Sequence, residues 1–120
     1  MTAAGFRRIV LRLDGAEERA HMGHPDFRVG GRIFATLHDG NKTGAVMLDP
    51  ERQKEFVDGH PAAFAPAAGA WGLKGATVFT LAAAGEEVLG EAVTLAWQRA
   101  VALGPTKGSG KKKPAKRRTS

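Results

Sequence analysis

Asp26-Phe27-Arg28-Val29-Gly30-Gly31-Arg32-Ile33-Phe34-Ala35-Thr36-Leu37 is the stretch that decides the fold. Residues 26–29 and 32–37 alternate in polarity, the period-2 signature of a half-buried strand. Gly30-Gly31 sits between them. A primed two-residue turn needs positive φ, which glycine adopts without a steric penalty. The stretch therefore predicts a β-hairpin. Outward from it, Glu17 to Met22 is short and polar and reads as an edge strand. Asp39-Gly40-Asn41-Lys42 makes a second turn and Gly44-Ala45-Val46-Met47-Leu48 the next strand. The expectation is an antiparallel meander.

Helices flank the meander. Phe6, Ile9, Val10 and Leu13 lie at i, i+3, i+4 and i+7, one face of an amphipathic helix, and Asp14-Gly15 ends it. Asp49-Pro50-Glu51 opens a second helix through about Asp58. Asp suits the cap, Pro the first position, and Glu the positive end of the dipole. Phe56 and Val57 are expected to face inward, and His60-Pro61 closes the helix. Pro61 to Trp71 is rich in Ala, Pro and Gly and reads as a loop with room for one helical turn. Thr77-Val78-Phe79-Thr80-Leu81 is the last strand. Glu86 to Leu103 is the longest helix, with Leu89, Val93, Ala96, Ala100 and Leu103 on one stripe, broadened by Val88, Ala92 and Trp97. Glu86, Glu87 and Arg99 follow the helix dipole, and Gly104-Pro105 stops it. Grouped strands with separate helices define an α+β fold: a mainly antiparallel sheet with helices on one face.

Composition bounds the rest. The chain has 120 residues, 18 Lys and Arg against 12 Asp and Glu, and no cysteine. One domain fits that length, and a disulfide framework, a thiolate zinc site and a Cys nucleophile are excluded. No apolar run approaches the roughly 18 residues of a membrane span, and the N-terminus lacks signal-peptide order. The expectation is a cytoplasmic protein, with nucleoid association as an extension. The net charge of +6 is unevenly placed. Residues 104–120 contain seven basic side chains (Lys107, Lys111, Lys112, Lys113, Lys116, Arg117 and Arg118) and no acid, so residues 1–103 carry a net charge of −1. The sequence thus divides into a near-neutral domain, 1–103, and a Lys/Arg-rich tail, 104–120. With no large apolar residue, the tail is expected to be disordered. On duplex DNA it could neutralise seven phosphates, a log–log salt slope of roughly −6, with no sequence information. The bland alternative is a tail that only solubilises.

Local chemistry is sparse. His21, His24 and Asp26 offer three potential metal ligands, but their spacing does not put them on one face, and a hydrogen-bonded structural histidine is the simpler reading. No metal or other cofactor is expected. Glu17 and Glu18 are adjacent, so in a strand they face opposite sides and make a poor acid–base pair. No Gly-x-Ser-x-Gly, phosphate-binding loop or Ser/His/Asp arrangement is present, and no catalytic residue is assigned. Arg28 and Arg32 flank the hairpin tip, where they could meet phosphate or a guanine edge. Glu17, Glu18, Asp26 and Asp39 on the same sheet would repel a duplex. Of the aromatic candidates for base stacking, Trp97 lies on the helix stripe and reads as core, whereas Trp71 lies in a Gly-flanked loop.

The stretch His21 to Ala35 resembles the MmcQ/YjbR family of small bacterial proteins, which share a Phe-x-Val-x-Gly-Lys-x-Phe-Ala-like hairpin. Leu48-Asp49-Pro50-Glu51 with Phe56 is similar to that family's strand-to-helix junction. His60-Pro61, Phe64, Pro66 and Gly69-Ala70-Trp71-Gly72 are similar to its aromatic loop. The resemblance spans about residues 5–103 and implies a CyaY-like fold, also described as a double-wing arrangement, and a DNA-binding role. Arg32 stands where Lys is common. Gly69 to Lys74 replaces a His-x-Asn-Lys-x-His-Trp stretch, leaving Lys74 as the basic group there. The tail is no part of the shared pattern. The leading expectation is a non-enzymatic DNA-binding protein. Its nucleic-acid residues would be Arg28, Arg32, Lys74, Lys111, Lys112, Lys113, Lys116, Arg117 and Arg118, with Trp71 as a stacking or interaction residue. The other is a protein- or small-ligand-interaction module, a chaperone-like binder with an unidentified partner. No membrane partner is expected.

Overall fold

The structure, a computed structural model, describes residues 1–105 apart from Met22, Asp39 and Asn41 and the side chain of His21. The tail cations Lys107 to Arg118 and the expected disorder of that segment lie outside the described residues. The elements run α1 (Ala3–Leu11), β1 (Glu17–His21), β2 (His24–Val29), β3 (Arg32–His38), β4 (Thr43–Met47), α2 (Pro50–Gly59), β5 (Phe64–Pro66), α3 (Gly69–Leu73), β6 (Ala76–Thr80) and α4 (Glu86–Leu103). Six strands form one sheet in the order β1-β2-β3-β4-β6-β5. Every pairing is antiparallel.

The hairpin forms as its glycines require, with φ of 59° at Gly30 and 78° at Gly31. The alternation expected in β3 does not hold. Phe34, Ala35, Thr36 and Leu37 are all buried. A bulge accounts for the first two: Phe27 faces Ala35 whereas Arg28 faces Ile33, leaving Phe34 as the extra residue, while Thr36 is the one of the four outside the core cluster. A bulge twists and bends the strand and re-aims its side chains, so neighbours can both find cover.

The core lies between one face of the sheet and the helices. Phe6 and Val10 of α1 meet Phe27, Phe34, Leu37, Val46 and Phe79 of the sheet and Leu89, Val93 and Ala96 of α4. Phe6 stands edge-on to Phe27 with ring centroids 5.5 Å apart and lies 5.1 Å from Phe79. Phe56 brings α2 onto the same face against Phe64, at 5.3 Å. The α4 stripe buries through Ala100, but Leu103, expected inward, is half exposed because the last turn runs past its cover. Trp97 packs against the core while its indole N–H donates to the Asp14 carbonyl at 2.9 Å. It is a structural tryptophan.

Local capping follows the sequence. Asp49 caps α2 by accepting from the Arg52 amide at 2.8 Å, with Pro50 in the first turn. The segment expected as a loop with one helical turn, 61–71, contains the start of the short α3 and, in addition, a strand. β5 is three residues long and includes Pro66, with no pattern of its own. It exists because β6 offers it an edge, and an edge strand tolerates proline. Among the described residues, no helix is long and apolar enough to cross a membrane.

The opposite face of the sheet is polar on the β2–β3 side. Asp26 is buried, and its carboxylate accepts from Arg28 Nε at 2.8 Å and Nη2 at 3.1 Å. Thr36 Oγ1 and His38 Nε2 are 2.8 Å apart, and the His38 ring lies 5.0 Å from that of His24. Burial, and secondarily the neighbouring His24, hold His38 below the ordinary histidine value of 6.5. The unfolded chain therefore binds a proton at a pH where folded His38 does not. This contribution is fully present above pH 6.5 and is lost as pH falls through the depressed folded value. Thermal melts across this window should show stability falling with acid, and His38→Gln should flatten that slope. An unchanged slope would assign the loss to other groups.

Candidate nucleic-acid interface

Three strand ends meet at one end of the sheet: the start of β3, the end of β4 and the start of β6. The antiparallel register sets them side by side, with Met47 opposite Ala76. Helix α3 and the last turns of α4 flank them. A concavity of about 160 Å³ lies there, floored by Ile33, Met47, Leu48 and Ala76 and rimmed by Arg32, Trp71, Lys74 and Arg99. Three sequence-predicted residues, Arg32, Lys74 and Trp71, are thus brought together. Arg99 completes the rim, although its place in the sequence shows only a match to the α4 dipole. A second concavity of about 390 Å³ shares Leu48 and Arg99 with the first and continues between α4 and the start of α2, past Arg52.

The position of α3 is set by backbone geometry. Gly75 has φ of 113°, a conformation L side chains rarely adopt, and lies against the Leu48 carbonyl. Gln53 of α2 donates from Nε2 to the carbonyls of Gly72, at 2.9 Å, and Ala76, at 2.8 Å. Thr77 Oγ1 donates to the Gly75 carbonyl at 2.8 Å. These contacts hold Trp71 and Lys74 beside the β4 end. Trp71 is 60% exposed, a large apolar ring left in solvent.

Arg32 joins the hairpin to the end of α4. Its Nε donates to the Gly104 carbonyl at 3.0 Å, and Gly30 of the turn faces Pro105. The cation thus sits at the negative pole of the α4 dipole. Residue 105 leaves the folded body beside the concavity, so the tail begins there.

Several cations elsewhere in the domain are paired with carboxylates. Arg7 pairs with Glu18 at 3.0 Å, Arg19 with Glu17 at 3.3 Å, Arg52 with Glu55 at 3.0 Å and Lys54 with Asp58 at 2.6 Å. Arg28 pairs with Asp26. Among the described residues Arg32, Lys74 and Arg99 have no carboxylate partner, and no acidic side chain lines their concavity. Glu86 and Glu87 line another concavity, at the other end of α4. The 13 residues from 86 to 99 separate the two by roughly 20 Å along the helix. The near-neutral domain is therefore polarised, which a net charge conceals.

Arg28 is placed differently from Arg32. Its guanidinium is engaged twice by Asp26, and its pKa is raised chiefly by that hydrogen bond. Glu17, Glu18 and Asp26, expected to repel a duplex, each face an arginine; Asp39 lies outside the described residues. Asp26 and His24 have structural partners, and the side chain of His21 is outside the described residues. No group of three metal-binding side chains is found among the described residues.

Fold and site together define a small α+β domain with an acid-free, tryptophan-edged basic groove at one end of an antiparallel sheet. A family model described as YjbR matches residues 11–99, and the chain belongs to that family. No curated protein is significantly similar to the sequence. The fold is similar to the crystal structure of Deinococcus radiodurans protein DR2400, which carries a DUF419 domain. The TM-score is 0.75 at 24% identity, covering 88% of this chain and 83% of that one.

Proposed function

We propose that this protein is a non-enzymatic DNA-binding protein of the cytoplasm, associated with the nucleoid. The carrying observation is the convergence of Arg32, Lys74 and Arg99, without a carboxylate, beside the point where the chain enters its seven-cation tail. Two cationic elements that begin at one place can act on one stretch of phosphate backbone. The tail supplies affinity through counterion release, and the groove supplies a fixed docking point. Arg28 contributes only as a structural side chain in this reading.

A salt titration on mixed-sequence duplex tests the proposal. Truncation should fall after Pro105, which keeps Gly104 as the acceptor of Arg32. The full chain is expected to lose affinity steeply with salt, and removal of residues 106–120 should make the log–log slope shallower by roughly 6. Residual binding by the truncated chain should disappear when Arg32, Lys74 and Arg99 are replaced by Ala. An unchanged slope after truncation would remove the tail from the account. No binding of duplex or single-stranded DNA at low salt would overturn the proposal.

A further inference from the structure

We infer that the groove takes single-stranded nucleic acid in preference to duplex, with one unpaired base stacked on Trp71 and its flanking phosphates on Lys74, Arg32 and Arg99. This deepens the DNA-binding reading and rests on it.

The argument begins with Trp71. It is 60% exposed on the rim of the groove, whereas Trp97 has a structural partner for its indole. An indole face in solvent is a platform for any π-face, and base–aromatic stacking is largely independent of sequence. In a duplex the base faces are covered by their neighbours, so Trp71 gains nothing from one. In a single strand a base can turn out and reach it.

The surroundings match one nucleotide rather than a free ligand or a protein. Cations stand around the ring with no acid among them, and Ile33, Met47 and Ala76 give an apolar floor. A base edge can lie on that floor while the backbone remains at the charged rim. The concavity of about 160 Å³ is sufficient for part of one nucleotide in a continuing strand. The adjoining concavity past Arg99 is lined by Asp49 as well as Arg52, so the acid-free part of the site is the concavity under Trp71. Two other occupants are disfavoured by charge. A second copy docked through the same face would set Arg32, Lys74 and Arg99 near identical cations, and the chain's own tail carries seven positive charges and no negative one.

Rigidity adds to the case. Gln53 and Gly75 fix α3, so the backbone that carries Trp71 is held before any ligand arrives. A side chain on a preorganised backbone loses less freedom on stacking than one on a mobile loop.

The test uses the full chain with two fluorescently labelled probes, an oligo-dT of about 12 nucleotides and a duplex of equal length. Anisotropy is read at about 200 mM salt, where the tail's contribution is muted. The native protein should bind oligo-dT more tightly, with partial quenching of its tryptophan emission that is absent in Trp71→Phe. Trp71→Ala should weaken oligo-dT binding by about 5- to 150-fold, the loss of one stacked base, and leave duplex affinity unchanged. Trp71→Phe should retain most of the single-strand affinity, because any aromatic face stacks. The exposure of Trp71 makes a folding defect avoidable, and coincident thermal melts check this. Equal losses on both probes, or no loss on either, would overturn the inference while leaving the DNA-binding proposal in place. Failure of the native chain to bind either probe at low salt would overturn both.

Discussion

Gly75→Ala is expected to destabilise the fold by about 3 kcal/mol or more, lowering the melting temperature by more than about 10 °C. Two costs combine. The backbone at Gly75 has φ of 113°, outside the regions open to L residues. Its Cβ would also collide with the Leu48 carbonyl, a backbone atom that cannot turn aside. Relief would require the α3–β6 junction to move away from the end of β4. That movement would stretch the bonds from Gln53 to Gly72 and Ala76 and carry Trp71 and Lys74 away from Arg32. The substitution should therefore also reduce single-strand binding in whatever fraction remains folded. Gly59→Ala is the control. Nothing lies within 4 Å of the point its new methyl group would occupy, so a change of less than about 1 kcal/mol in either direction is expected. Urea unfolding of both variants decides it: a Gly75 variant as stable as the Gly59 one would mean that the junction relaxes freely.

Arg28→Met is expected to cost about 3 kcal/mol, because it leaves a buried carboxylate without its cation. The Asp26 side chain is 3% exposed and the Arg28 side chain 25%. The loss is therefore asymmetric. Asp26→Ala should cost less, about 2 kcal/mol, since the released guanidinium still reaches water. The double variant should lose less than the sum of the two, which a double-mutant cycle on denaturant midpoints would measure. Additive losses would mean that the bidentate geometry contributes little. The two arginines of the hairpin are placed differently: Arg28 is engaged by a buried carboxylate, whereas Arg32 has no carboxylate partner among the described residues and donates to the Gly104 carbonyl.

Local elements are legible in the sequence because their signals are local. Asp49-Pro50 places the start of α2 within a residue, Gly30-Gly31 places the hairpin turn, and Glu86 and Gly104 bracket α4. Each signal reads a backbone requirement satisfied within one turn of chain. β5 is illegible, since Phe64-Ala65-Pro66 becomes a strand only when β6 pairs with it. The bulge at Phe34 is illegible too, because it is a mismatch between two strands. The groove is half legible. Arg32, Lys74 and Trp71 stand out singly, but Arg99 gives no signal beyond its place at the end of a helix.

The sequence by itself determined the α+β class, most element boundaries and the separation of a balanced domain from a cationic tail. These depend on short-range periodicity, capping and composition. Only the tertiary structure decided which cations are spent on carboxylates and which stand together unpaired. That outcome is set by strand register and helix packing, because an ion pair forms only between groups brought within a few ångströms, and residues far apart in the chain share that distance only after it folds.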